Sequence, residues 1–333
     1  MASLRGILRG CWRANRRRCL STTNPEQFES LRIAICGSGV VGPTFAGLLS
    51  RRLGELTQSG DIHLSIDMFE RAPPDSDQGY GLDLDEFGQE ALVQAGVYDR
   101  FWEIARPVSE TSAIYSLCGA PLFVATKPGL QPECNRAGLR QLMIDAAEAN
   151  TKRFGKPTEM PGWDGSTNRF NMHFDTQVQD IKRVTSSASD IDTLELMGSR
   201  GKGPQELLGE FDLVVDCMGW SSTLRKYRMS ECGDEGEYDG TVIVHGSLPN
   251  PMESADEDVK SVFGADNGRG YGTIVVVGGG HKSFVFQQYG AGADDKRHAL
   301  LSYYERPGDP DSIFEEIGIP KPTSRNTGLH LHL

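Results

Sequence analysis

The stretch Gly37-Ser38-Gly39-Val40-Val41-Gly42 restricts what this chain can fold into more than any other feature. It is a G-x-G-x-x-G turn, a weak pattern in isolation that gains weight from its surroundings. An apolar run, Leu31–Cys36, precedes it, and Thr44–Leu53 follows, with Phe45, Leu48 and Leu49 at helical spacing. A polar loop over 54–61 leads to Leu64–Glu70, a second apolar run that ends on an acid. Strand, glycine turn, helix, strand is a βαβ unit of the dinucleotide-binding kind, here spanning residues 32–71. Each glycine has a reason. Gly37 permits the tight turn, Gly39 lets the backbone approach a pyrophosphate, and Gly42 lets helix and strand pack closely. Ser38 and Val41 complete the turn, whose free N–H groups and positive helix end face the phosphates. Glu70 accepts hydrogen bonds from ribose hydroxyls and repels a 2′-phosphate; the 54–61 loop lengthens its spacing beyond the usual ~20 residues. Arg71 lies either near the adenine or in solvent.

Charge and composition bound the alternatives. The 333 residues carry a formal net charge of −12, which argues against a nucleic-acid partner. No apolar run approaches the ~20 residues that a membrane-spanning helix needs. The charge is uneven: six arginines (Arg5, Arg9, Arg13, Arg16, Arg17, Arg18) and no acid precede Glu26. Removing those six from the 34 basic residues leaves 28 against 46 acidic ones, a balance of −18. A short basic leader ending in Ser21, Thr22 and Thr23 reads either as a mitochondrial transit peptide or as a basic tail, with a cytoplasmic protein as the other location. The seven cysteines are scattered and never paired as C-x-x-C, so they form neither a disulfide framework nor a zinc site.

Further along, Glu86–Gly96 reads as a helix that Val97–Ile104 extends after a turn. Residues 112–126 read as a hairpin turning at Gly119-Ala120, and Asn135–Ala149 as an amphipathic helix with Leu139, Leu142, Met143 and Ala146 on one stripe. Residues 151–170 are polar and irregular. Asn171–Val184 with Thr193–Met197 suggest a second hairpin, and Phe211–Cys217 another buried strand. From Thr241 short strands separated by glycine and polar turns predict an antiparallel sheet and a second domain. Residues 294–306 read as a helix, and 307–333 are turn-rich.

Several of these strings resemble one family. IAICGSGVVGP and IDMFERAP are similar to the N-terminal region of the FAD-dependent aromatic hydroxylases, the p-hydroxybenzoate hydroxylase superfamily, and are most like its tetracycline-inactivating flavin monooxygenases. GYGLDLDEFGQEALVQAGVYDRFWEIA resembles the segment after their ribose-binding acid. NRAGLRQLMIDAA resembles their R-x-x-L-R helix start, and FDLVVDCMGWSSTLRK their strand and G-x-x-S-x-x-R turn. The resemblance covers residues 31–300 and is strongest in its first half.

The resemblance implies an α/β fold: a Rossmann-like FAD-binding domain over 31–235 and an incomplete antiparallel substrate-domain sheet over 236–306, with a basic leader over 1–30 and an irregular tail over 307–333. It implies FAD as cofactor, NAD(P)H as electron donor, and hydroxylation of a small aromatic or polyketide-like substrate with O₂, the flavin carrying the chemistry. Asp83 and Arg136 become flavin contacts, and the Gly219 turn lies against the cofactor. Phe284, Phe286 and Gln287 either line a substrate pocket or pack as core. Three departures stand out. Met218 occupies a position where many relatives have Asp or Thr. The Asp75–Gly79 loop lacks the arginine some relatives turn towards NADPH. The family's second flavin motif, G-D-A-A-H with its P-x-x-G-x-G loop, is absent, and GADNGRGYG at 264–272 does not replace it. The chain therefore reads as C-terminally truncated relative to that family. A non-catalytic dinucleotide-binding remnant is the alternative reading. An NAD-linked dehydrogenase would share the fingerprint but leaves the 79–105 and 135–147 matches unexplained.

Overall fold

A computed structural model describes residues 29–56, 62–76, 81–106, 111–116, 118, 120–126, 132–153, 168–185, 192–227, 242–249, 273–277, 283–289, 298–305 and 330–332. The basic leader, Gly119 of the first hairpin turn, the 264–272 glycine segment and nearly all of the 307–333 tail lie outside the described residues. The chain divides into two compact units: residues 1–78, 91–97 and 140–233 form the first, and 79–90, 98–139 and 234–333 the second.

The first unit is built on β1 (Glu29–Cys36), β2 (Ile62–Phe69), β8 (Arg169–His173) and β12 (Leu213–Asp216), which lie side by side as β12-β1-β2-β8. All three pairings are parallel, with Ile33 opposite both Ile66 and Leu213, and Phe69 opposite His173. Parallel strands are buried on both faces, which is why β1 and β2 read as near-continuous apolar runs. Alternate β1 side chains enter two different cores. Ile33 and Ile35 pack with Ala46, Leu49, Leu64, Ile66, Met68 and Ala147 beneath α1 (Val41–Leu56) and α4 (Arg136–Arg153). Ala34 and Cys36 pack with Phe69, Val178, Leu196 and Phe211 against a second sheet. That sheet is the antiparallel β11-β10-β9, formed by β9 (Thr176–Thr185), β10 (Asp192–Arg200) and β11 (Glu206–Phe211). Each aliphatic side chain so buried stabilises the unit by about 1.5–3 kcal/mol. In chain order the parallel strands are first, second, third and fourth, yet the fourth lies beside the first. The order reverses between β1 and β12, making their carboxyl ends the topological switch point of an open parallel sheet.

Helix α1 begins three residues before the expected Thr44, and α4 extends four beyond the expected Ala149. The two pack closely at Gly47, where a Cβ would lie 3.6 Å from the Ala147 nitrogen. Ser50 and Thr151, both fully buried, share a 2.9 Å hydroxyl hydrogen bond across the contact. The expected stripe Leu139, Leu142, Met143 and Ala146 is buried throughout. The predicted strand 171–184 is instead two: the chain breaks at Phe174 and Asp175, the latter in the left-handed region (φ 51°). This lets β8 join the parallel sheet while β9 pairs with β10. Strand β11 was not anticipated; its ELLGEF sequence has too little alternation to announce it.

The second unit holds a seven-stranded sheet in the order β17-β13-β16-β15-β14-β5-β6. Its strands are β5 (Thr111–Ser116), β6 (Pro121–Thr126), β13 (Val242–Pro249), β14 (Thr273–Val277), β15 (Ser283–Tyr289), β16 (His298–Glu305) and β17 (His330–His332). The β5–β6 hairpin pairs as predicted. The sheet is mixed rather than antiparallel throughout, because β14 pairs with β5 and β13 with β17 in parallel. The helix expected over 294–306 is wrong. Residues 298–305 form β16, paired antiparallel on both sides, with β13 and β15. HALLSYYE carries short-range features of both states, and two flanking strands decide it. Phe284, Phe286 and Gln287 lie on β15, a strand whose backbone is described and whose residues at these positions are not described at side-chain level. A small sheet, β3-β7-β4, combines β3 (Gly81–Asp83), β4 (Ala105–Arg106) and β7 (Glu133–Asn135). Helices α2 (Glu86–Ala95) and α3 (Tyr98–Phe101) complete the described elements. Among the described residues no helix is long and apolar enough to cross a membrane.

Candidate functional site

The carboxyl ends of β1, β2 and β12 carry the glycine turn. Strand pairing continues one residue past the strands: the Gly37 N–H donates to the Phe69 carbonyl (2.8 Å) and the Cys217 N–H to the Cys36 carbonyl (2.7 Å). Gly37 has φ 98°, and a Cβ there would lie 2.6 Å from the Cys217 carbonyl oxygen. A Cβ on Gly42 would lie 2.1 Å from the Gly37 carbonyl oxygen and 3.4 Å from Ile35. Glycine is therefore required at both positions by the protein's own backbone. Gly39 is different: a Cβ there meets nothing within 4 Å. The turn thus presents bare backbone outward at Gly39 while Gly37 and Gly42 are packed inward. Val41, 67% exposed, opens α1, and Pro43 in its first turn has no N–H to be left unsatisfied.

Glu70 follows β2 directly. Its Oε2 accepts from the Ser38 N–H (2.9 Å) and the Ser38 hydroxyl (3.1 Å), and its Oε1 accepts from the Ala72 N–H (3.0 Å). A carboxylate offers about four acceptor positions, so these bonds fix its orientation and leave one position on Oε1. The Glu70 backbone is held as well, by the His173 carbonyl and the Thr176 N–H. Arg71, next in sequence, is exposed.

Ser38 is fully buried and meets a residue that the sequence did not single out. Arg140, 5% exposed, donates from Nε to the Ser38 carbonyl (2.6 Å) and from Nη2 to the Ser38 hydroxyl (2.7 Å). Its guanidinium lies over the Phe174 ring, 5.4 Å from the centroid. Burial lowers the affinity of this guanidinium for its proton, and the nearby Glu70 charge opposes that effect. Arg140 is the second arginine of the R-x-x-L-R string, and that string is the signal the sequence holds for it.

Beside Gly37, the segment after β12 turns through Gly219 (φ 66°), which opens a short 3₁₀ turn, Gly219–Ser221. Asp216 organises it, accepting from the Met218 N–H (3.0 Å) and from the Ser222 hydroxyl. Arg225 donates to the Gly219 carbonyl (3.1 Å) and lies 5.0 Å from the centroid of Trp220, a ring 67% exposed. Met218 leaves its position without an acid, and Asp216 places one two residues earlier. Burial and then the Asp216 charge push the nearby Cys217 thiol up to about 11, and burial raises Cys36 further, which disfavours the thiolate at both.

Gly37, Ser38, Gly39, Val41, Gly42 and Glu70 are brought together in the first unit. Asp83 and Arg136 belong to the second. Asp83 is exposed at the end of β3, opposite Glu133 of β7. Arg136 is the half-buried first residue of α4, whose N-terminus is capped by Asn135 Oδ1 accepting from the Ala137 and Gly138 N–H groups (2.8 and 3.1 Å).

No protein-family model matches the chain, and no curated protein matches it in sequence. Solved structures do. The FAD complex of CtdE is 14% identical with a TM-score of 0.59, over 85% of this chain and 61% of that one. The flavin-dependent monooxygenase PieE, solved with FAD and substrate, is 13% identical with a TM-score of 0.54, over 89% of this chain and 48% of its own. The tetrameric form of 2-methyl-3-hydroxypyridine-5-carboxylic acid oxygenase is 17% identical with a TM-score of 0.52, over 85% and 60%. CtdE and the flavin-dependent monooxygenase PieE were both solved with FAD, and at these identities what this chain shares with such neighbours is an α/β fold. The chain spans about three fifths of the length of CtdE and of the oxygenase, and about half of PieE.

Proposed function

We propose that this chain binds FAD and acts as an FAD-dependent monooxygenase on a small aromatic or polyketide-like substrate, with NAD(P)H as electron donor. The observation that carries the reading is the turn at the sheet's switch point. Gly37 and Gly42 are glycine because backbone fills their Cβ positions, whereas Gly39 is open, as close approach of a pyrophosphate requires. The residues present fit the ADP half of a dinucleotide. Gly39 and the start of α1 offer N–H groups to the phosphates, and Glu70 keeps one oriented acceptor position for a ribose hydroxyl. Asp83 and Arg136 are the residues proposed to hold the flavin half. Bound flavin would supply the redox chemistry, and the protein's part is to bind, orient and exclude water. CtdE and PieE, each solved with FAD, support the choice of dinucleotide.

A second reading is a dinucleotide-binding protein without turnover, because the glycine turn by itself accounts for binding of the ADP half and supplies no redox step. One preparation separates the two. Purified protein is expected to carry, or to take up, a chromophore absorbing near ~450 nm that releases FAD on denaturation. Substrate-stimulated NAD(P)H oxidation then supports the enzyme, and bound FAD without oxidation supports the second reading. A colourless protein that takes up no added FAD overturns the first reading, and one that also binds no ADP overturns both.

A further inference from the structure

Arg140 is deeply buried, carries a full charge, and directs two of its donors at a single residue of the glycine turn. The consequence follows from the planarity of the peptide. The Ser38 carbonyl and the Gly39 N–H belong to one trans peptide unit, so they point in opposite directions. Nε of Arg140 draws the Ser38 carbonyl inward at 2.6 Å, so the Gly39 N–H is turned away from the buried guanidinium. The Cβ position of the same Gly39 faces open space. The second bond, to the Ser38 hydroxyl, extends the network to Glu70, which receives both the hydroxyl and the N–H of Ser38. One buried arginine therefore sets the direction of a phosphate-facing donor, while the carboxylate proposed for the ribose is held separately by the N–H groups of Ser38 and Ala72.

We propose that Arg140 is a positioning residue for the pyrophosphate: it aims the Gly39 N–H at the phosphates through the Ser38 carbonyl and does not itself touch the ligand. This rests on the reading that the turn binds the ADP half of FAD. It separates ligands by chemistry. A ligand with a pyrophosphate uses the Gly39 N–H, whereas adenosine, which has none, meets only the Glu70 side of the site. Glu70 stays held by the N–H groups of Ser38 and Ala72 when Arg140 is changed.

The test uses the full chain and three ligands, FAD, ADP and adenosine, with circular dichroism to verify folding. Arg140→Met is expected to weaken FAD and ADP about tenfold or more, the loss of a charge-assisted hydrogen bond, with adenosine affinity unchanged within about threefold. Arg140→Lys is the more discriminating variant, because it keeps the positive charge and loses the two-pronged geometry. It is also expected to weaken ADP, by about fivefold, without affecting adenosine, and that loss cannot come from charge. If Arg140→Met does not fold, Arg140→Lys decides. A folded variant that binds ADP as the wild type does, or loses ADP and adenosine in parallel, overturns the proposal while leaving FAD binding intact. Wild-type protein that binds neither FAD nor ADP removes the reading beneath it, and the proposal with it.

Discussion

Gly37, Gly39 and Gly42 share one motif but are glycine for different reasons, and substitution separates them. Alanine at 37 must adopt φ 98° with its Cβ 2.6 Å from a carbonyl oxygen, and alanine at 42 meets one at 2.1 Å. Each is expected to destabilise the protein by about 1–3 kcal/mol or more, read as a lower denaturant midpoint. Gly39→Ala meets no atom, so its stability should stay within about 0.5 kcal/mol of wild type while FAD binding is lost. A Gly39→Ala protein that binds FAD normally would show that the pyrophosphate does not approach there. The motif was legible because its residues are adjacent in sequence and each glycine has a fixed task. Arg140 was not, because its partner Ser38 lies 102 residues away and only folding brings them together. Glu70 was legible as an acid ending a strand; that Ser38 and Ala72 occupy most of its acceptor positions depends on the turn's geometry.

Among the elements, β1 and β2 were readable as near-continuous apolar runs and α1 by its helical spacing. The β8–β9 break was not, as nothing in NMHFDTQV marks Asp175 as left-handed until Thr176 reaches back to the Glu70 carbonyl. β16 was misread as a helix for a related reason: its identity is set by strands β13 and β15 pairing on either side. The β2–β8 pairing carries a polar device of its own. Asp67 of β2 accepts from His173 Nε2 (2.8 Å) and Asn171 Nδ2 (3.0 Å) of β8. Burial alone would raise the Asp67 pKa, but these two bonds, with the His173 and Arg32 charges, hold it below the usual value of 3.8. A depressed folded-state pKa adds stability that is present above the unfolded value and lost as pH falls through the folded one. Asp67→Asn is therefore expected to be less stable than wild type near pH 6, with the gap closing below about pH 4. Urea unfolding at pH 6 and pH 3 checks this, and a gap that stays constant across that interval would show that Asp67 is not the linked group.

At the scale of the molecule, the second unit is assembled from three separate stretches, 79–90, 98–139 and 234–333. Local periodicity cannot reveal such interleaving, because it rests on which strands meet, as when β5 pairs with β14 more than 150 residues later. The α/β class was nonetheless legible, as glycine turn and strand pattern agree with the fold shared with CtdE and PieE. A ligand that binds only the folded state stabilises it by RT ln(1 + [L]/Kd), about 2.7 kcal/mol at a hundred times Kd. For a unit of this size that is roughly 5–10 °C in Tm. Two units can melt separately, so the signature expected of ADP-half binding is a shift in the transition of the unit carrying the glycine turn. FAD and ADP should both produce it, since both have the pyrophosphate; FMN and riboflavin, which lack the ADP half, should not. Scanning calorimetry with the four ligands makes the comparison in one protein. A shift with FMN as large as with FAD, and none with ADP, would move flavin recognition away from the Gly37–Gly42 turn altogether.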